Sequence, residues 1–528
     1  MKRSPLASSA LFLSLLAGCA AAPPPAPAPP PVEEPAPEPK GPQREPPPEA
    51  GPAKESRFPK VSWSELPNGL KLAVIPQKGL PVVHARVVVL GGKSADGEKP
   101  GLAGLTGQLL KEGGAGKLSS RDLISRVESM GGDLSIASGF DDIEVLLTLT
   151  RDHLDEGLDL LGAMVEKPQL SPGEFDKLQK REAEAAADSA KTKGLWGTSM
   201  VLYRDLFALP SEHHPYASFA ATATELRKIK VDDCRAFHKR FFVPKNTFVI
   251  VAGDTTPDAA RAAVEKSFGA WKGGEAPVIS FTDPNRPAGR KITLVDRPKS
   301  SQSEVLVGFL GPEVNDKGYT AFTVASQVLG GGVSGRLFAD LREKQSLAYS
   351  TRSFYHEYAH GPVVFTAQAG TRTAKTGLAL QGLLENLDRI VTTAPDDEEV
   401  RAATRFLGDT FAMRRETAAS LAFELEHLHL QGLPDDHHDH YRKELFEITG
   451  AFASKAISDH VKPGHEIIVV AGDAAIVGPM LAHFGEVKVV DPTRDFARER
   501  TLPMDASAPL EAPAPPEKKP EGGDEKKP

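Results

Sequence analysis

The chain has 528 residues, a formal net charge of −8, 40% hydrophobic residues and 25% charged residues. This length is enough for two or three domains with full cores, and the composition is that of an ordinary soluble globular protein. The acidic balance, without a strongly basic block in the body of the chain, argues against a nucleic-acid-binding protein.

The N-terminus predicts a secretory signal. The chain begins Met-Lys-Arg, and residues 6–17 form an apolar run that is too short to span a bilayer. Residues 16–19 (LAGC) resemble the cleavage box of bacterial lipoproteins, in which the cysteine becomes the lipidated N-terminus. We therefore predict a signal peptide at 1–18 and a lipid on Cys19 that anchors the protein in the outer membrane, facing the periplasm. The alternative is a plain signal peptide with an incidental cysteine.

Two segments are predicted to lack folded structure. Residues 19–59 are rich in Pro, Ala and Glu, which predicts an extended tether. Residues 493–528 end in a stretch rich in Pro, Glu and Lys and predict a disordered tail. Cys234 is the only other cysteine, and we predict that it is buried in a helix without a disulfide partner.

Between these segments the chain mixes strands and helices. In the first half, period-two patterns and turn signals predict strands at 70–76, 84–90, 134–138 and 143–150. Helical spacing and capping residues predict helices at 101–112, 119–131 and 172–191.

The body of the chain also contains an internal repeat. The sequence FVIVAGD at 248–254 recurs as IIVVAGD at 467–473, which is 219 residues later. KLAVI at 71–75 corresponds to KITLV at 291–295, at an offset of 220. Two landmarks with nearly one offset indicate duplication. We predict an α+β fold of two tandem homologous α/β-sandwich halves of about 215 residues each, spanning 60–275 and 290–492 and joined by a linker at 276–289.

A short helix followed by a strand is predicted in the second half. Residues 336–345 follow three glycines, and Leu337 and Leu341 lie on one helical face, while the period changes to two from about Leu347. Arg342 and Tyr349 therefore lie on opposite sides of a helix-to-strand turn. A guanidinium and a phenol placed in this way could both donate hydrogen bonds to a carbonyl or oxyanion. A solvated arginine beside a packed tyrosine would fit the same pattern.

The whole run at 330–350, GGGVSGRLFADLREKQSLAYS, resembles the second-half signature of the insulinase (pitrilysin) family of zinc peptidases. The resemblance extends from about Leu66 to Val490. It implies two halves that face each other around a cavity. In that family an arginine and a tyrosine at this spacing close over the substrate at the zinc site, and the matching residues are Arg342 and Tyr349.

The family's zinc motif is missing. The resemblance places His-x-x-Glu-His on the helix at 101–110, where histidines four apart bind Zn²⁺ and the glutamate acts as general base. Gly104 and Gln108 stand at the histidine positions and Gly107 at the glutamate position. The third ligand position falls on Ala185, or on Glu184 if the register shifts by one. We therefore predict no metal in this chain, with Zn²⁺ held by a partner subunit.

Other histidines offer weaker metal candidates. Residues 356–360, HEYAH, match the HExxH of other zinc peptidases, but a strand would hold His356 and His360 about 13 Å apart, too far for one zinc. We predict that a second group, with an adventitious metal site as the alternative, lies in a solvated loop; it comprises His427, His429, His437, His438 and His440. We predict a structural role for the HHPY sequence at 213–216.

Three hypotheses about function follow from these observations. The first is the non-zinc subunit of a heterodimeric metallopeptidase, inactive alone, whose Arg342 and Tyr349 act on peptide bound at the zinc of a His-x-x-Glu-His partner. The second is a non-catalytic peptide-binding or assembly protein of the cell envelope. The third is a self-sufficient zinc peptidase that uses His356 and His360.

The lipid anchor can be tested directly. Cys19→Ala removes the only residue that the cleavage box could lipidate, so the variant should move from the membrane fraction to the soluble periplasmic fraction or the medium. Fractionation followed by immunoblotting measures this. A variant that remains in the membrane fraction during detergent-free extraction would contradict the lipoprotein hypothesis.

Overall fold

The structure is a computed structural model that describes residues 58–210 and 212–512. The predicted signal peptide at 1–18, the lipidated Cys19 and nearly all of the tether lie outside these residues, as does the end of the tail. No helix within the described ranges combines the length and apolar character needed to cross a bilayer.

In the described part of the first half there are six strands and eight α-helices. The strands are β1 (Ser62–Glu65), β2 (Lys71–Pro76), β3 (Val82–Leu90), β4 (Asp133–Ser138), β5 (Asp142–Thr150) and β6 (Thr247–Gly253). The helices are α1 (Leu102–Glu112), α2 (Ser120–Ser129), α3 (Leu154–Glu166), α4 (Pro172–Thr192), α5 (Gly194–Leu206), α6 (Ala223–Lys228), α7 (Val231–Phe241) and α8 (Pro257–Phe268).

No helix or strand lies between Phe268 and Lys291, and the second half follows. Its strands are β7 (Lys291–Asp296), β8 (Gln302–Leu310), β9 (Ala348–His356), β10 (Val364–Arg372), β11 (Ile467–Gly472), β12 (Val487–Asp491) and β13 (Ala497–Leu502). Its helices are α9 (Tyr319–Gly330), α10 (Thr376–Thr392), α11 (Asp397–Met413), α12 (Ala418–Leu430), α13 (His437–Glu447), α14 (Gly450–His460) and α15 (Ala474–Ala482), with a π-helix at Phe338–Lys344.

The two sheets repeat one strand order. The first is β1-β2-β6-β3-β5-β4 and the second is β13-β12-β7-β11-β8-β10-β9, so β2 to β6 correspond to β7 to β11. The parallel pairs have matching registers, with Lys71 opposite Phe248 and Lys291 opposite Ile467. The sequence landmarks of the repeat therefore occupy equivalent positions. The fold is α+β with two homologous halves, as predicted.

Each sheet is covered on both faces, which explains why β6 and β11 are buried at every position. One face packs against helices of the same half. The opposite face packs against a helix from the other half. Helix α5 lies on β8 and β11, and α12 lies on β3 and β6. The two halves are therefore interlocked by an exchange of helices.

A buried ion pair holds α12 on the first sheet. Arg86 of β3 donates to Glu426 of α12 and lies 3.2 Å from Glu144 of β5. Arg86 is 6% exposed and Glu426 is 3% exposed. Burial, with the neighbouring carboxylates, raises the pKa of Asp142 beside them to about 7. The Arg86 cation is therefore what allows these acidic groups to lie together away from water.

Aromatic packing provides a second connection between the halves. Tyr216 stacks on Tyr358 at 4.3 Å and donates to Asp141, and Asp141 also accepts from the Ala359 N–H. Tyr216, Asp141 and their neighbours belong to the first half, whereas Tyr358 and Ala359 belong to the second. The HHPY segment therefore contributes to this junction.

Two predicted boundaries differ from the structure. The tail was predicted to begin at 493, but Ala497–Leu502 forms β13 at the sheet edge, and the Leu510 carbonyl accepts from the Leu378 N–H at 3.1 Å. The tether was predicted to extend to 59, but Phe58 is buried and its N–H donates to Asp439. Both ends take their structure from distant segments, so local composition misassigned them.

The interlock predicts that Arg86 is important for stability. Arg86→Leu leaves buried carboxylates without their cation and should lower the free energy of unfolding by about 3–5 kcal/mol. Urea unfolding of the full chain, followed by far-UV circular dichroism, measures the change.

The matched control is Arg151→Leu. Arg151 pairs with Asp254 at 2.7 Å but is 53% exposed, so the loss should be about 0–1 kcal/mol. Equal losses in the two variants would contradict the role assigned to the buried pair.

Candidate functional site

Helix α1 carries three of the four degenerate zinc positions. Leu102, Leu105 and Leu109 are buried on the face that packs into the core. The buried Asp96 carboxylate accepts from the Gly101 and Ala103 N–H groups at 2.7 Å and caps the N-terminus of the helix. The structure therefore keeps a well-formed helix where the family's zinc helix would lie.

Three of the degenerate positions line one cavity of about 390 Å³ in the first half. We call this the N-half cavity; its lining includes Gly104 and Gln108 of α1, Ser138 of β4, and Glu182 and Ala185 of α4. Glu184 does not line it and is exposed. The structure therefore places Ala185, rather than Glu184, on the wall that faces α1.

Gly107 is not part of the lining, because α1 packs closely against the sheet at this point. A Cβ on Gly107 would lie 2.8 Å from Ser138 Oγ and 3.1 Å from Ile143 Cγ2. By contrast, a Cβ on Gly104 would meet no atom within 4 Å. The histidine position is therefore open, while the glutamate position is closed by packing.

The donor set of the N-half cavity does not suit zinc. Glycine and alanine supply no ligand, and the Glu182 carboxylate is paired with Arg181. Within residues 58–210 and 212–512, the one group of three or more acidic, histidine or cysteine donors close enough for a metal is Asp142, Glu144 and Glu426. Arg86 already neutralises that group.

The second candidate site contains Arg342 and Tyr349. Arg342 lies in the π-helix Phe338–Lys344, within the short helix predicted at 336–345. Its Nη1 donates to the Tyr349 backbone carbonyl at 2.7 Å, and its guanidinium lies 4.9 Å from the Phe338 ring. The turn between the two residues contains Ser346 at a φ of 52°, in the left-handed region. The structure thus makes Arg342 and Tyr349 neighbours through the backbone of Tyr349.

The Tyr349 phenol has its own partners. It is 44% exposed, and its hydroxyl donates to Glu304 Oε1 at 3.0 Å, with Gln302 Oε1 at 3.4 Å. Partial burial and the Glu304 carboxylate raise the pKa of Tyr349 to about 12, so the hydroxyl remains a donor at neutral pH. In this conformation the two side chains do not share one acceptor.

Glu304 and Gly370 were not identified from the sequence. A Cβ on Gly370 would lie within 2.7 Å of the Tyr349 hydroxyl, so glycine is needed for the ring to lie over β10. Glu304 belongs to β8, 45 residues before Tyr349. No strand was predicted at either position, and a strand pattern by itself does not identify a side-chain partner.

Helix α4 connects the two candidate sites. Arg297 donates to the Thr192 carbonyl at the end of α4 at 2.7 Å, and Gly194 lies against Arg297 and Glu304. Ala185 precedes Thr192 by seven residues, or about 10 Å of helix. The Tyr349 region and the N-half cavity are therefore separate but adjacent.

The HEYAH sequence does not form a metal site. His356 ends β9 and packs against Phe140, whereas His360 follows the strand and packs against Phe281. Glu357 accepts from Tyr319 and from His427, whose Nε2 is 2.6 Å from the carboxylate. The two histidines therefore contact different rings, and neither belongs to a group of donors close enough for a metal among the described residues.

The prediction that five other histidines lie in a solvated loop is wrong. His427 and His429 lie on α12, and the remaining three lie on α13. His438 is 6% exposed, with its Nε2 3.3 Å from Glu424. The sequence missed these helices because their apolar partners come from distant parts of the chain.

Comparisons with known proteins agree with this architecture. The model of the insulinase family (peptidase family M16) matches residues 72–197, and that of the "peptidase M16 inactive domain" matches residues 228–407. Together they cover more than half of the chain.

Two Helicobacter pylori proteins are among its relatives. The "non-peptidase homolog YmxG" is 24% identical over 76% of this chain and 90% of its own length. The "zinc protease PqqE" is 24% identical over 78% of this chain and 91% of its own length.

Solved structures share the fold. A peptidase M16 inactive domain from Pseudomonas fluorescens superposes with a TM-score of 0.72 and 23% identity, covering 78% of this chain and 98% of that one. A protease from Helicobacter pylori gives a TM-score of 0.71 and 20% identity, covering 79% of this chain and all of that one.

The lining of the N-half cavity predicts how much zinc the chain and its variants retain. The wild-type chain should retain no stoichiometric zinc after dialysis, whereas Gly104→His, Gln108→His and Ala185→Glu combined should retain about one zinc, because all three positions line one cavity. The triple variant should still cleave no peptide, since Gly107 supplies no base. Elemental analysis and a peptide-hydrolysis assay measure both outcomes.

A double-alanine control, Gly104→Ala with Gln108→Ala and the native Ala185, should bind no zinc. Adding Gly107→Glu to the zinc-binding triple variant should lower its thermal stability, because the Cβ of residue 107 would collide with Ser138. One zinc per wild-type chain that is lost in His356→Ala would contradict the assignment.

Proposed function

This chain belongs to the insulinase family of peptidases, M16, and from that premise we propose that it is the non-zinc subunit of a two-chain metallopeptidase. One observation carries the proposal: the N-half cavity has lost its metal ligands, while Arg342 and Tyr349 remain exposed on the other half. The active pair would combine this chain with a subunit that carries a complete His-x-x-Glu-His motif.

The division of chemistry follows from the residues that are present. The partner would supply zinc, the attacking water and the general base, because this chain has no residue for those roles in the N-half cavity. Arg342 and Tyr349 would supply hydrogen bonds to the polarised carbonyl and the developing oxyanion. A guanidinium and a protonated phenol are both suited to that role at neutral pH.

For catalysis, the Tyr349 side chain must change its hydrogen-bond acceptor from the one it has in this conformation. The Tyr349 hydroxyl donates to Glu304, and Arg342 donates to the Tyr349 carbonyl. The phenol must exchange Glu304 for the substrate carbonyl, while Arg342 has further N–H groups to offer. This exchange is local, because both side chains are exposed.

A second candidate is a non-catalytic peptide-binding or assembly protein. The observation that favours it is that both donors are engaged within the chain in this conformation. The relative named a non-peptidase homologue is compatible with either candidate. The self-sufficient zinc peptidase has no support, since His356 and His360 contact different rings and belong to no group of metal donors among the described residues.

The cellular setting of the proposal is the cell envelope. The LAGC sequence at 16–19 supports a lipid on Cys19, and the Pro-rich segment that follows supports a tether between membrane and folded body. In this arrangement the protein acts on peptides in the periplasm.

The proposal predicts that Arg342→Ala and Tyr349→Phe each slow peptide hydrolysis by the reconstituted pair. Losing one donor to an oxyanion typically costs about 10²–10³ in rate, so kcat should fall by about that factor. The measurement is hydrolysis by co-purified subunits, wild type against each variant. Partner binding, followed by size-exclusion chromatography, should be unchanged.

Arg401→Ala is the matched control, because Arg401 is an exposed arginine on α11 outside the candidate site. It should leave turnover at the wild-type level. Full activity in both site variants would reject the shared site and favour the peptide-binding candidate.

A further inference from the structure

The second half contains a larger cavity than the first. It has a volume of about 740 Å³, in the range of small-molecule sites, and every lining residue belongs to the second half. We call it the C-half cavity. Helix α9, strand β9 and helices α11 and α12 form its walls, as α1, β4, α4 and α5 form those of the N-half cavity. It is the counterpart, by internal repeat, of the degenerate zinc site.

Its walls are rich in aromatic side chains. Tyr319 lies edge-on to Tyr355 at 6.0 Å, and Phe411 lies 5.9 Å from Tyr441. Two further rings lining the cavity are unusually exposed for phenylalanine, Phe406 at 49% and Phe423 at 54%. Exposed aromatic rings beside a cavity favour a ligand with an apolar or aromatic group.

The acidic groups of the cavity are already neutralised. Glu357 is held by Tyr319 and by His427 at 2.6 Å. Burial favours the neutral imidazole, but the contacts with Glu357 outweigh it and raise the pKa of His427. Burial alone would raise the pKa of Glu424. The contacts of this carboxylate with His438 and Arg415 have the larger effect and hold its pKa below the ordinary value. Neither carboxylate needs a cationic ligand.

The two arginines of the lining are not neutralised in this way. Arg352 donates through Nε to Gln368 at 2.7 Å and lies 4.5 Å from the Phe354 ring, which leaves its terminal nitrogens for a ligand. Arg414 is exposed and has no ion-pair partner among the described residues. The surplus of guanidinium groups favours a ligand with a carboxylate, which arginine binds in a bidentate manner.

Strand β9 makes a peptide the best-fitting ligand. It is the last strand of its sheet and pairs with β10 on one side only. Its residues from Arg352 to His356 line the cavity, and Tyr349 lies near its other end. An extended chain can pair with such an edge strand through its backbone. The distance from Tyr349 to Tyr355 along the strand is about 20 Å.

Hydrogen bonds also join the cavity to the Tyr349 region. Tyr349 donates to Glu304, Gln368 donates to the same carboxylate at 3.3 Å, and Arg352 donates to Gln368. A ligand that engages Arg352 therefore contacts the network that holds the Tyr349 phenol.

We propose that the C-half cavity binds the C-terminal residue of a peptide, with an apolar or aromatic side chain against Phe411 and Tyr355 and its α-carboxylate on Arg414 and Arg352. The remaining peptide extends along β9 towards Tyr349. The inference rests on the proposed function for the peptide nature of the ligand, but it concerns binding by this chain alone.

The test measures binding to the isolated full-length chain, without a partner. The probe is a dye-labelled peptide that ends in phenylalanine, with either a free carboxylate or a C-terminal amide, followed by fluorescence anisotropy. The free acid should bind about tenfold or more tightly than the amide, as expected for a charge-assisted contact. Arg414→Gln should weaken binding of the acid about tenfold and leave the amide unchanged.

Arg405→Gln is the control, because Arg405 is an exposed arginine of α11, nine residues before Arg414, and does not line the cavity. Phe423→Ala provides a second variant at an exposed position, so folding should be preserved, and it should weaken binding of the phenylalanine peptide more than that of a glycine-terminated one. Circular dichroism verifies the fold of each variant.

Equal affinity for acid and amide, or acid binding that is unaffected by Arg414→Gln, would overturn the inference. Tight binding of decanoate without binding of the peptide would also overturn it and assign the cavity to a fatty acid. Arg342→Ala should bind the peptide as wild type does. A failed hydrolysis assay with intact peptide binding would therefore reject the shared active site and not this cavity.

Discussion

Each sheet of this protein depends on a helix from the other half to cover one of its faces. Helix α5 leaves the first half to pack on the second sheet, and α12 makes the reverse contact. The buried Arg86–Glu426 pair and the Tyr216–Tyr358 stack tie these exchanges together. Separating the halves would expose both sheets and leave buried charges unpaired, so the two halves form one cooperative structure.

The exchange also determines where the candidate donors lie. Helix α4 lines the N-half cavity, and the chain passes directly into α5, which is anchored on the second sheet. Gly194, at that junction, contacts Glu304, the acceptor of the Tyr349 hydroxyl. The donor surface is thus built on the contact between halves. Loss of metal ligands from the cavity leaves this contact intact, because the buried leucines of α1 face the core.

The duplicated cavities have diverged in chemistry while keeping their walls. Two cavities, of about 480 and 230 Å³, are lined by residues of both halves, whereas the N-half and C-half cavities each lie within one half. In the N-half cavity the predicted ligand positions carry glycine, glutamine and alanine, and Gly107 allows α1 to approach β4 closely. The C-half cavity has aromatic walls, neutralised carboxylates and two arginines. On the proposed function and the proposed peptide site, one half of the duplicated fold has lost a metal site while the other half binds a ligand.

The sequence by itself determined the duplicated α+β fold and the family, and it predicted which positions lack the zinc ligands. These depend on periodicity, turn signals and motif spacing, which act over a few residues or repeat along the chain. It also predicted the π-helix region and strand that carry Arg342 and Tyr349. Tertiary structure alone decided that Ala185 rather than Glu184 faces the cavity, and that Ala497–Leu502 is a strand.

Only the tertiary structure also decided which side chains that are far apart in the sequence contact each other. Arg86 and Glu426 are 340 residues apart, and the histidines of α12 lie in a helix because its apolar face packs on a sheet of the other half. Tyr349 meets Glu304 only because β8, β10 and β9 are neighbours in one sheet. Such contacts depend on how distant segments pack together, and local residue patterns carry no information about that choice.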